Sequence, residues 1–193
     1  MGNKTIVTIG RQYGSGGRDV GKRLSELLEV PFYDRAELTA IAKHTPDYDE
    51  VRSFYEETPA DTLLTALALE DDPHTDRLPF KRIRALVGEG GCVLIGRCGS
   101  SIFADAPNAA RLFLHARPTY RVERIMALEG CSERRAQERM AQTDRARAAF
   151  HQYYTGGPWG LAADYDLTVD SGALGVEGTA EFLLDYLKRR HLG

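Results

Sequence analysis

The chain has 193 residues, 42% of them apolar, and a formal charge of −3, which suits one domain with its own core and argues against a nucleic-acid binder, whose surface must neutralise phosphates. Cys92, Cys98 and Cys131 are scattered without a CxxC pair, so neither a disulfide framework nor a zinc site is expected. No apolar run approaches the ~18 residues that span a bilayer, and the expectation is a soluble cytoplasmic protein with no membrane or nucleic-acid partner. Twenty of the twenty-five cationic side chains are arginine. The planar fork of arginine binds phosphate or carboxylate oxygens in pairs, although a GC-rich genome produces the same excess.

Along the chain, Ile6-Val7-Thr8-Ile9 is a β-branched run that stops at Gly10, and Gly14-Ser15-Gly16-Gly17 is a loop that permits positive φ. From Arg18 to Glu29 the residues Val20, Leu24, Leu27 and Leu28 share one helical face. The loop therefore joins a strand to a helix. Residues 31–33, 92–95, 112–114 and 167–169 supply four more short strands with helical patterns between them, which predicts a parallel sheet covered on both faces. Residues 44–80 carry ten acids against two arginines and read as an inserted helical flap on the acceptor side. Residues 117–160 form the opposite, arginine-rich region: a helix, a turn at Gly130, a second helix to about Tyr153-Tyr154, then a Gly-Pro-Trp loop. A final amphipathic helix buries Val176, Ala180, Leu183 and Leu187, so residues 1–193 form one domain.

Chemistry concentrates at the glycine loop, because backbone N–H groups at a helix N-terminus bind anions. The full GxxxxGK[ST] pattern is not met: with Gly16 on its second glycine, Arg11 falls on the first glycine, Gly17 on the lysine and Arg18 on the Ser/Thr. Arg18 is then a candidate cation for transferring phosphoryl oxygens, and Ser15 and Asp19 are candidates for holding Mg²⁺. The alternative is a solvated first helical turn, with Asp19 complementing the helix dipole.

The stretch from Thr8 to Gly21 followed by Pro31-Phe32-Tyr33-Asp34 resembles the N-terminus of the cytidylate-kinase-like family, whose own loop also replaces the lysine. Val93 to Arg97, Phe103 to Pro107, Leu112 to Leu114, Asp144 to Arg147 and Tyr165 to Asp170 are similar to later segments of that family, in the same order. The resemblance implies a three-layer α/β P-loop kinase fold, with a five-stranded parallel sheet in the order 2-3-1-4-5, ATP as phosphoryl donor with Mg²⁺, and a nucleoside monophosphate as acceptor. It implies that Gly14, Ser15, Gly16, Gly17, Arg18 and Asp19 cradle the donor phosphates, and that Asp34, Arg35, Arg97 and Asp144 serve the acceptor. Arg139, Arg145 and Arg147 belong to a closing lid, with Arg18, Arg97 and Arg147 the catalytic cations.

Cys98 stands where true cytidylate kinases carry Asp, and residues 35–40 differ from their counterpart, so cytidine specificity does not follow. A nucleotide-sensing module without turnover, or a kinase for another small molecule, remains open as an alternative.

Overall fold

The computed structural model describes residues 5–43, 78–88, 90–96 and 98–192. Five strands, β1 (Ile6–Arg11), β2 (Phe32–Tyr33), β3 (Cys92–Ile95), β4 (Ala109–His115) and β5 (Leu167–Asp170), form one sheet in the order β2-β3-β1-β4-β5. Every pairing is parallel, as expected. Among the described residues the α-helices are α1 (Gly17–Leu28), α2 (Arg35–Ala42), α3 (Leu78–Val87), α4 (Gly99–Ile102), α5 (Pro118–Glu129), α6 (Glu133–Thr155) and α7 (Ser171–Arg189). Among the described residues none is long and apolar enough to cross a membrane. Residues 44–77 of the expected helical flap lie outside the described residues.

Alternation along the strands divides the core into two layers. Val7, Ile9, Val93, Ile95, Leu112 and Leu114 pack against Val20, Leu24 and Leu28 of α1 and Ala180, Leu183 and Leu187 of α7. On the other face Ile6, Cys92 and Leu94 meet Leu38 of α2, Phe80 and Ile83 of α3, and Phe150 and Tyr154 of α6. Tyr153 and Tyr154 pack edge to face, their ring centroids 4.8 Å apart, and Trp159 and Phe113 form a second T-shaped pair at 5.4 Å.

The first strand does not stop at Gly10. It runs to Arg11, because Gly10 and Arg11 stay in register with Phe113 and Leu114. Glycine at position 10 serves packing rather than a turn: a Cβ there would lie 2.8 Å from the Phe113 ring.

Local chemistry sets the ends of the helices that carry the site. Asp34 caps α2 by accepting from the N–H groups of Ala36 and Glu37 at 2.8 and 3.1 Å. Pro118 opens α5, and Gly130, with φ 61°, closes it in the left-handed conformation. Ser132 caps the 23-residue α6. The last helix is kinked at Gly175, where φ is 68°, which brings Val176 against the glycine loop.

Candidate active site

The loop between β1 and α1 lies between two banks of arginines. Gly14 and Gly16 have φ of 80° and 81°, a conformation that side-chain-bearing residues adopt at a cost. Gly16 is the N-cap of α1 and offers no side chain to the first-turn N–H groups, so those donors face outward at the positive end of the helix dipole. The Ser15 hydroxyl donates to the carbonyl of Gln12 at 2.9 Å. The Ser171 hydroxyl lies 2.7 Å from the Ser15 carbonyl and 3.0 Å from that of His115, sharing its proton between them.

Tyr13 joins the loop to the two arginine-rich helices. Its N–H donates to Asp144 Oδ1 at 2.8 Å, and its carbonyl accepts from Arg121 Nε at 2.7 Å. Arg121 Nη2 also binds Asp144 Oδ2, so both peptide groups of Tyr13 are held by one ion pair between α5 and α6. The Tyr13 hydroxyl bonds Glu129, which also binds Arg139 at 3.4 Å. Burial, with the Glu129 hydrogen bond second, pushes the Tyr13 phenol above its usual range. Arg147 Nη1 donates to the Arg11 carbonyl at 3.0 Å, and its guanidinium lies 5.5 Å from the Tyr13 ring centroid. Arg145 is exposed on the same helix. On the opposite flank Arg124 of α5 binds Asp19 and brings its Nε to within 3.4 Å of where a Cβ on Gly16 would stand.

The second bank lines a cavity of about 450 Å³ between the loop and α2, walled by Arg11, Arg18, Asp34, Arg35, Thr39, Lys43 and Ile95. Arg18 turns toward this cavity: its Nε binds Asp34 Oδ2 at 2.8 Å, and its guanidinium lies 5.7 Å from the Phe32 ring centroid. Arg97 lies outside the described residues.

Burial alone would raise the Asp34 carboxyl, but hydrogen bonds from the Glu37 N–H and from Arg18 outweigh it and hold the group below its ordinary 3.8. A depressed carboxyl contributes stability that is fully present above its unfolded pKa and is lost as pH falls through the folded value. Arg18→Ala should therefore raise the Asp34 pKa, reduce stability at neutral pH and flatten its dependence on pH below about 4. An NMR titration of the Asp34 side chain reads this directly, and a pKa unchanged in the variant would exclude the ion pair in solution.

The sequence profile of the family described as "Cytidylate kinase-like family" matches residues 6–173. The chain belongs to that family. A solved structure of a protein from Eubacterium ventriosum ATCC 27560, described only as uncharacterized, is 26% identical, with 95% of this chain and 98% of that one covered and a TM-score of 0.71. Shikimate kinase from Bacteroides thetaiotaomicron matches at 13% identity over 95% of this chain and 98% of that one, with a TM-score of 0.51, a likeness of fold. A curated relative, the uronate isomerase of Corynebacterium glutamicum, is 30% identical over 106 residues, which are 54% of this chain. The chain spans only 20% of the length of that relative.

Within this cytidylate kinase-like chain, the structure brings Gly14, Ser15, Gly16, Gly17, Asp19, Asp144 and Arg147 together at the loop, and Arg18, Asp34 and Arg35 at the cavity. Arg139 reaches the loop through Glu129, which bonds the Tyr13 hydroxyl. Sequence reasoning gave no role to Arg11, Arg121, Arg124 and Lys43. Arg121 and Arg124 fall three apart within the arginine-rich region, which predicts a shared helical face. Arg11 sits on a motif position expected to be glycine, and that misfit was its signal.

Proposed function

We propose that the chain transfers the γ-phosphoryl group of ATP to a small phosphate-bearing acceptor, a nucleoside monophosphate, held in the cavity between the glycine loop and α2. The observation that carries this reading is the cationic cavity beside the loop: among the described residues that line it, Arg11, Arg18, Arg35 and Lys43 accompany one carboxylate, Asp34. Four cations around one carboxylate suit an anionic guest. The N–H groups at the start of α1 would bind the donor phosphates, and the arginines of α6 approach the loop from the other side.

Phosphoryl transfer asks mainly for positioning and charge stabilisation, and an acceptor phosphate is already ionised. No general base is needed, which fits a site built from arginines. Residues of the chain are compatible with Mg²⁺. The Ser15 proton is committed to the Gln12 carbonyl, which leaves the hydroxyl oxygen as an acceptor only, the state a cation ligand requires. Asp19, whose side chain is 47% exposed, would serve once released from Arg124. Mg²⁺ when bound neutralises phosphate charge. Closure of α5 and α6 over the loop would exclude water and limit hydrolysis.

The test is ATP consumption with Mg²⁺ against a panel of ribo- and deoxyribonucleoside monophosphates, alongside thermal-shift binding. Turnover with one or a few members supports the reading. Stabilisation by nucleotides without turnover on any member would replace it with a sensing module or a different acceptor.

A further inference from the structure

The lysine position of the phosphate loop is occupied by Gly17, and its first glycine position by Arg11. These two departures are one event in three dimensions. Gly17 has an ordinary backbone conformation, so glycine is not required there by φ. It is required by space: a Cβ on residue 17 would stand 2.7 Å from Arg11 Cβ and 2.9 Å from Arg11 Cγ, too close to the rooted end of a side chain for either to yield. The stem of Arg11 therefore crosses the helix start where a lysine would begin.

The head of Arg11 clears a second glycine. A Cβ on Gly96, at φ 97°, would lie 2.3 Å from Arg11 Nη1 and 3.2 Å from its Cζ. The guanidinium lies over Gly96 at the end of β3, where it lines the cavity with Arg18, Asp34 and Ile95. The Arg11 carbonyl is meanwhile held by Arg147.

We propose that Arg11 is the catalytic cation that replaces the missing lysine, its guanidinium binding the transferring phosphoryl oxygens between donor loop and acceptor cavity. This rests on the kinase reading above. In the step, the bond from the γ-phosphorus to the bridging oxygen of ATP breaks and a bond to the acceptor oxygen forms. ADP leaves with the electron pair. Arg11 stays protonated throughout and contributes charge and a bidentate fork.

The experiment measures affinity for ATP and for inorganic tripolyphosphate by calorimetry, with thermal melts, in Arg11→Ala, Arg11→Lys, Gly17→Lys and the double variant Arg11→Gly/Gly17→Lys. Arg11→Ala should weaken both ligands about 30-fold, the size of a lost charge-assisted contact, and Arg11→Lys less. Gly17→Lys should melt lower than wild type because its Cβ collides with the Arg11 stem. The double variant, which restores the lysine pattern, should recover both the melt and tripolyphosphate binding even if Arg11→Ala alone does not fold. Wild-type ATP affinity in Arg11→Ala, or a double variant no better than Gly17→Lys, overturns the assignment alone. A wild-type protein that binds no ATP overturns the kinase reading with it.

Discussion

Arg147→Ala is expected to lower phosphoryl transfer about 10³-fold, the low end of what an arginine on a transferring phosphoryl contributes, while the melting temperature falls by only about 6 °C. The asymmetry follows from its contacts. Arg147 donates one hydrogen bond to the Arg11 carbonyl and lies over the Tyr13 ring, interactions worth about 1 kcal/mol each at a partly exposed site. Charge placed at the loop entrance acts on the transition state far more than on the fold, because negative charge is redistributed there. Steady-state kinetics with the acceptor identified by the panel should show kcat falling more than the KM for ATP rises. Arg147→Lys should be intermediate, since it keeps the charge and loses the fork. Transfer within about tenfold of wild type in the alanine variant would remove Arg147 from the catalytic set.

The architecture was legible because it is written in local pattern. Val20, Leu24 and Leu28 announce the buried stripe of α1, and the β-branched runs announce strands that pair in the expected order. The glycine loop was legible because φ near 80° at Gly14 and Gly16 has few alternatives to glycine. The division of labour among arginines was not legible. Arg18 lies one position past the missing lysine, yet its side chain is 59% exposed and turns to Asp34, a partner sixteen residues away that only the return of β2 brings near. Arg11 and Gly17 are six residues apart, but their exclusion depends on how the strand end folds over the helix start. The extension of the first strand past Gly10 was missed for the same reason. A glycine demanded by a distant ring, here Phe113, looks in sequence like one demanded by a turn.

Removing the buried arginine between the two helices should have the largest effect on stability. Arg121 has a side chain only 6% exposed and holds both Asp144 and the Tyr13 carbonyl. Breaking such a pair from one side costs about 3–5 kcal/mol, because the remaining charge stays buried without compensation. Asp144 keeps its bond from the Tyr13 N–H and is 20% exposed, so the lower end applies. For a domain of this size about 3 kcal/mol corresponds to roughly 9 °C in melting temperature. Asp144→Asn retains an acceptor for the Tyr13 N–H but leaves Arg121, the more buried charge of the two, without its counter-ion, so it should cost a comparable amount. In Arg121→Ala/Asp144→Ala the two losses should fall short of their sum by about 1 kcal/mol or more, as expected of groups in direct contact. Strict additivity would mean that the two residues act on the fold independently. In Arg121→Ala the loop would lose the tie from the Tyr13 carbonyl to α5 and keep only its bonds to Asp144 and Arg147 of α6, so ATP affinity should fall along with stability. A variant that melts lower but binds ATP as wild type would separate the support of the fold from the shaping of the phosphate loop.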